Sequence, residues 1–252
     1  MTGYNGRAMV DIHCHILPQV DDGAKSWEVA TEMCRMAVAD GITHVVATPH
    51  ANEKYAYHRE EHGARLQELQ KAAGEWPLLS LGCDFHFSFD NVQDALKTPD
   101  RYSISGTPYL LVEFSDFGVS RYINDTIYRL RAQAIVPIVT HPERNRMLQS
   151  HPENVLSFVE QGCVVQVTAS SFTGRWGSGA RKAAEWLLKH DAVHVIATDA
   201  HDTEHRPPVL SAGREAVAKI AGPDIARALV EDNPAAIVAG QGLPYLPAPL
   251  SR

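Results

Sequence analysis

Residues 9–15 read Met9-Val10-Asp11-Ile12-His13-Cys14-His15, a short apolar run that breaks off in two histidines one residue apart. The run Val10–His13 is the first of seven. The others are Ile42–Thr48, Leu78–Asp84, Tyr109–Phe114, Val136–Thr140, Val164–Thr168 and Val193–Thr198. Each is brief and rich in Val or Ile, the pattern of strands buried on both faces in a parallel sheet. Amphipathic stretches separate them. Ser26 is placed to cap a helix over 27–40, with Glu28 in its first turn and Gly41 just past its end. Further helices are expected at 58–73, 121–133, 153–161 (closed by Gly162), 180–190, 208–220, 223–231 and 234–239. Strand–helix alternation of this kind, with seven strands, predicts an α/β fold in one domain, a (β/α) barrel or a closely related parallel sheet. A doubly wound open sheet fits less well, because no Gly-rich phosphate loop follows the first strand.

The 252 residues suffice for one large core, and a composition of 44% hydrophobic and 21% charged residues excludes disordered, collagenous and coiled-coil classes. A formal charge of -7, from 23 basic and 30 acidic residues, argues against nucleic acid as the partner. The N-terminus lacks a secretory apolar core and no run approaches membrane-spanning length, so neither export nor membrane insertion is expected. Four scattered cysteines, Cys14, Cys34, Cys83 and Cys163, read as reduced thiols of a cytoplasmic protein. Residues 1–8 read as a flexible extension, 9–240 as the domain and 241–252 as a Pro-rich tail.

The ends of the runs carry the chemistry. They supply His13 and His15, His50, Asp84, Glu113, His141, and Asp199 with His201; only the sixth run ends in neither imidazole nor carboxylate. In parallel barrels the C-terminal strand ends form one mouth. Residues at i and i+2 share a strand face, which pairs His13 with His15 and Asp199 with His201 and turns Cys14 into the packed layer. Carboxylates ending apolar runs are costly to bury without a cation. So many nitrogen and oxygen donors, without a thiolate, exceed what one ion needs and point to two or three divalent ions. Manganese, iron and zinc all suit such donors. Asp22, beside Asp21, reads equally as a turn residue or a ligand. Arg144 and Arg206 lie just past ligand-bearing strand ends, and a guanidinium fork matches phosphate oxygens. His44, His58, His62, His151, His190, His194 and His205 read as structural or exposed, with His58, His62 and His190 on polar helix faces.

With these residues assembled, the sequence resembles the polymerase and histidinol phosphatase (PHP) superfamily, and within it the bacterial metal-dependent protein-tyrosine phosphatases of capsule and exopolysaccharide operons. The resemblance covers about residues 9–240. It rests on MVDIHCHILPQVDDGAKS, ATPH, LVEFS, THPERN and IATDAHDTEHRPP. It implies a distorted (β/α)7 TIM-like barrel with a trinuclear site, usually manganese. By position, His13, His15 and Asp199 would hold one ion, Glu113 and His141 a second, and Asp22, His50 and His201 a third. Arg144 and Arg206 match the phosphate-contacting arginines. The relatives commonly end strand three in Glu; Asp84 is shorter, so the bridge would widen or be lost, with His86 as a substitute donor.

The implied activity is phosphomonoester hydrolysis by a metal-activated hydroxide, on a phosphotyrosine protein such as the tail of a bacterial tyrosine kinase. The alternatives are a small-molecule phosphatase, such as one for histidinol phosphate, and a non-enzymatic regulatory domain of the same descent. The last is disfavoured by the nearly complete donor set. A cysteine phosphatase is not supported, since the C-x5-R position after each cysteine holds Val20, Asp40, Phe89 or Ala169. Many binuclear amidohydrolases use a modified Lys where this chain has Glu113.

Overall fold

The computed structural model describes residues 8–115, 123–247 and 249. Among the described residues nine strands run along the wall of a barrel: β1 (Met9–Cys14), β2 (Ile42–Ala47), β3 (His50–Ala51), β4 (Leu78–Leu81), β5 (Asp84–His86), β6 (Tyr109–Glu113), β7 (Val136–Thr140), β8 (Val164–Thr168) and β9 (Val195–Ala197). All their pairings are parallel. They form two sheets, ordered β1-β2-β4 and β3-β5-β6-β7-β8-β9. The sheets are tiers of one wall. β2 and β3 are one stave interrupted at Thr48-Pro49, and β4 and β5 another interrupted at Gly82-Cys83. Pro49 has no N–H to give a neighbouring strand. Its carbonyl still accepts from the Asp84 N–H (3.1 Å), and the Ala47 carbonyl from the Gly82 N–H (2.8 Å).

The remaining seam closes between β1 and the residues after β9. The Asp199 N–H donates to the His13 carbonyl and the His15 N–H to the Ala200 carbonyl, both at 2.8 Å. Beneath it, buried Asp11 accepts from the Thr198 N–H at 3.0 Å. The expected seven-stave barrel is therefore present. Strand three, read as continuous over Leu78–Asp84, is split, and strand seven begins at Val195 rather than Val193.

The helices are α1 (Trp27–Asp40), α2 (Arg59–Ala73), α3 (Phe89–Lys97), α4 (Ile123–Ala132), α5 (Arg146–Ser150), α6 (Leu156–Glu160), α7 (Ala169–Phe172), α8 (Gly177–Lys189), α9 (Ser211–Ala221), α10 (Pro223–Arg227) and α11 (Asn233–Val238). The Ser26 hydroxyl caps α1 by accepting from the Val29 N–H, and Gly41 ends it in the left-handed region (φ 92°). The helix expected over 153–161 is a 3-10 turn, Pro152–Val155, leading into α6. That expected over 223–231 is α10 followed by a π-helical turn. Residues 121 and 122 of the helix expected over 121–133 lie outside the described residues, as do residues 1–7 of the expected extension.

Two apolar layers position the site. One lies between the wall and the helices. The other, including Val10, Ile12, Val46, Leu111, Ile138, Val195 and Ile237, fills the lower half of the barrel. The mouth above it is left to polar side chains. A register irregularity between Asp11 and Cys14 redirects the end of β1. Val10 and Ile12 pack inside, yet beyond the irregularity His13 and His15 face the mouth and Cys14 joins the outer layer. The chain after α11 docks on the barrel: Tyr245 exchanges backbone hydrogen bonds with the Asn233 amide, and the Tyr109 hydroxyl donates to the Gln241 carbonyl. No described helix is long and apolar enough to cross a membrane.

Candidate metal centre

All the strand tips of the mouth except that of β8 deliver donors to a common region, β1 and the residues after β9 two each. His13 Nδ1 meets the Gln166 amide oxygen at 3.0 Å, and His15 Nδ1 meets the Asp21 carboxylate at 2.7 Å. Both partners are acceptors, so each Nδ1 carries the proton and each Nε2 presents a lone pair. Those Nε2 atoms face each other at 3.3 Å. Asp199 Oδ1 lies 3.4 Å from each of them. Two lone pairs and a carboxylate converging in a buried space repel one another unless a cation or a proton sits between them.

The acids are buried to match. Neither oxygen of fully buried Asp84 receives a well-formed hydrogen bond. Around it stand His50 Nδ1 at 3.0 Å and His13 Nε2 at 3.7 Å. His50 Nδ1 lies 3.8 Å from Glu113, and His141 Nε2 3.6 Å from Glu113. Asp22 sits between His50 Nε2 (3.3 Å) and His201 Nε2 (3.5 Å). Among the described residues four sets of donor atoms result: His15, Asp22, His50 and His201; His13, His15 and Asp84; His13, His141 and Asp199; and His50, Asp84 and Glu113. All nine ligand candidates named from sequence fall within these sets. His13, His15, His50 and Asp84 each belong to two; of these only the Asp84 carboxylate has two oxygens to share between adjacent ions. Asp84, despite its short arm, reaches the centre, while His86 stands at the rim with Nδ1 4.0 Å from Glu113.

Electrostatics show how strongly the cluster demands positive charge. Burial disfavours a charged His13, yet Asp199 and Asp84 push it up to about 9. Burial likewise opposes a charged His50, but Asp22, Asp84 and Glu113 push it up to about 11. Burial would raise Asp199, but Arg144, His13 and Arg206 hold it well below the usual carboxylate range. For His201 burial prevails and lowers it to about 4. A mixed imidazole–carboxylate set with unsatisfied oxygens and inward lone pairs fits divalent cations in place of those protons.

Local backbone explains the aim of these groups. His141 (φ 33°) and Asp199 (φ 50°) sit just past β7 and β9 in the left-handed region, uncommon for side chains other than glycine and typical of functional turns. The loop after β1 folds back on that strand, with the Ala24 N–H donating to the His15 carbonyl at 3.1 Å. Gly23 makes the return fit, since a Cβ there would lie 2.1 Å from the His15 carbonyl oxygen. Arg144 and Arg206 both pair with Asp199, the latter at 2.6 Å. A cavity of about 510 Å³ opens above, lined by His50, His86, Glu113, His141, Arg144 and Trp176 among others.

Three members of the site escaped the sequence reading. Asp21 orients His15 and also accepts from the His50 N–H at 3.1 Å; in the sequence only its neighbour Asp22 stands out as a candidate. Gln166 orients His13; a polar residue in the middle of an apolar run was its signal. Trp176 packs on Arg144, and no pattern in the string marks it. One expectation is corrected. His62 is not on a polar helix face: it is 6% exposed, its ring edge-on to Tyr57 at 4.9 Å, because the Tyr57 loop folds over that side of α2.

The capsular polysaccharide synthesis CpsB/CapC family model matches residues 9–239. The tyrosine-protein phosphatase YwqE of Bacillus subtilis is 34% identical over 202 residues, 79% of each chain. The tyrosine-protein phosphatase CpsB of Streptococcus pneumoniae is 28% identical over 242 residues, 92% of this chain and 99% of that one. A solved chain from the crystal structures of YwqE and CpsB, described as unique metal-dependent tyrosine phosphatases, superposes with a TM-score of 0.88 at 31% identity. It covers 97% of this chain and 100% of its own. By barrel, site and sequence together, the chain belongs to the CpsB/CapC family of capsular polysaccharide synthesis.

Proposed function

We propose that this chain is a metal-dependent protein-tyrosine phosphatase that hydrolyses the phosphate ester of phosphotyrosine. The observation that carries the reading is the meeting of His13 and His15 lone pairs with Asp84 and Asp199 under an open cavity. Divalent ions held there supply charge against the phosphoryl oxygens and acidify water. The residues to hold them are His13, His15, Asp22, His50, Asp84, Glu113, His141, Asp199 and His201. We assign two or three ions, manganese first, since nine donors exceed what one ion takes and the Asp84 carboxylate can serve two; iron or zinc would satisfy the same atoms.

Arg144 and Arg206 bind the phosphate oxygens through their forks and neutralise charge that grows there in the transition state. Phe114, Leu148 and Trp176 give the cavity an apolar wall suited to a phenyl ring. A phenol leaves more readily than an alkyl alcohol because its pKa is about 10, so the chain needs no dedicated proton donor for it. The physiological substrate we assign is a phosphotyrosine protein, the tail of a bacterial tyrosine kinase. Four free, buried cysteines accord with a cytoplasmic address.

The test is hydrolysis by purified protein of a phosphotyrosine peptide, an aryl phosphate, histidinol phosphate and a phosphoserine peptide, before and after chelation. The two aryl esters are expected to be cleaved fastest, only by metal-loaded protein. Activity that survives exhaustive chelation, or a preference for histidinol phosphate, would overturn the reading.

A further inference from the structure

We propose that Trp176 is a positioning residue that holds both phosphate-facing arginines in place; this rests on the phosphatase reading above. The Arg144 guanidinium carbon lies 3.7 Å from the centre of the indole ring and that of Arg206 5.2 Å. Both arginines also reach the Asp199 carboxylate. Asp199 fixes their tips; the indole gives the planar guanidinium groups a face to pack on.

The indole is itself held. Gly174 and Gly177, both at φ +84°, bracket Arg175 and Trp176 in a tight turn, closed by Gly177 N–H donating to the Gly174 carbonyl at 3.0 Å. The indole N–H donates to the Ser170 hydroxyl at 2.9 Å. Ser171, the next residue of α7, donates its hydroxyl to Glu143 at 2.7 Å, and Glu143 also accepts from the Thr168 N–H. Glu143 directly precedes Arg144. The aromatic face and the arginine that rests on it are thus anchored to the same short helix. Trp176 also stands between the main cavity, which Arg144 lines, and a side cavity of about 140 Å³, which Arg206 lines. Truncating it would join the two and free Arg144 to move.

The test is a double-mutant cycle with phosphotyrosine peptide as substrate. Trp176→Leu is expected to lower kcat on the order of tenfold to a hundredfold, the effect of a misplaced catalytic group, with metal content unchanged. Trp176→Phe, which keeps a ring face, recovers most of that loss. In an Arg144→Ala background Trp176→Leu costs several-fold less than in the wild type, because only the part that acts through Arg206 remains. Equal losses in both backgrounds, or full activity in Trp176→Leu, would overturn the proposal. Should Trp176→Leu fail to fold, Trp176→Gln takes its place in the same cycle, with the same outcomes for and against the proposal. A wild-type protein inactive on every phosphate ester would instead sink the phosphatase reading.

Discussion

Asp21 receives the Nδ1–H of His15 at 2.7 Å and thereby decides which nitrogen of that imidazole faces the centre. The same carboxylate accepts from the Gly23 and His50 backbone N–H groups, so it ties the first loop to β3. Burial would raise it, but His15 holds it down to about 2. Asp21→Ala is expected to weaken metal binding about 10- to 100-fold, the usual loss for a partner that orients a ligand. Asp21→Asn, which keeps an acceptor, should lose less. Metal titration by calorimetry distinguishes the two.

Arg144 and Arg206 are expected to matter to kcat. Arg144→Ala should lower it about 10²- to 10³-fold, in the range of a lost charge-stabilising donor. Arg144→Lys should recover little, because an ammonium lacks the planar fork. Steady-state kinetics on an aryl phosphate, beside metal content for each variant, check this; retention of near wild-type kcat in Arg144→Ala would contradict it.

Metal removal should cost stability as well as activity. The cluster exists only in the fold, so ions at about 100 times their Kd add about 2.7 kcal/mol. The midpoint of thermal unfolding is expected to rise with manganese concentration and fall on chelation. A midpoint indifferent to both would contradict the assignment of these donors.

Acid sensitivity is expected from a histidine remote from the centre. His194 is buried, its Nδ1 accepts from the Val165 N–H at 3.2 Å, and burial lowers it to about 4. Unfolded, it titrates near 6.5. The unfolded chain therefore binds the extra proton first. His194's contribution is intact above about pH 6.5 and is lost as pH falls towards 4, by about 3 kcal/mol in full. His194→Asn keeps an acceptor and does not titrate. Urea unfolding at pH 7.5 and 5.0 should show a smaller pH difference in the variant.

Gly23→Ala should act at the His15 backbone. Its Cβ would collide with a carbonyl oxygen and with the Cβ of His15 rather than with a flexible tip. The loop carrying Asp21 and Asp22 has to lift, at a cost of about 1–3 kcal/mol. Reduced metal affinity together with a lowered unfolding midpoint is the expected outcome.

The barrel was legible because strands buried on both faces leave unbroken β-branched runs, and Tyr109–Glu113, Val136–Thr140 and Val164–Thr168 lie where their patterns put them. The breaks were not. Leu78–Asp84 is one pattern in the string, and only three-dimensional pairing reveals that Gly82 and Cys83 interrupt it. Eight of the nine ligand candidates were legible because they lie at the ends of apolar runs, where an unpaired acid is costly; Asp22 was open from spacing and named only by resemblance. The residues behind them were not. Nothing in the sequence says which nitrogen of His13 is tied down, so Gln166 passed as one more strand residue. The i and i+2 rule put His13 and His15 on one face, but the irregularity after Asp11 is what turns that face inward.

The two-tier wall carries a mechanical implication. The lower tier is cemented by a close-packed apolar plug, whereas the upper tier includes β3 of two residues and β5 of three, with charged groups where a plug would be. Cations bridging His50, Asp84 and Glu113 would therefore rivet short, otherwise weakly fastened segments together. Stripped of its ions, the barrel should keep its floor and loosen at its crown, with amide exchange accelerating at 50–51 and 84–86 while Leu111 and Ile138 stay protected.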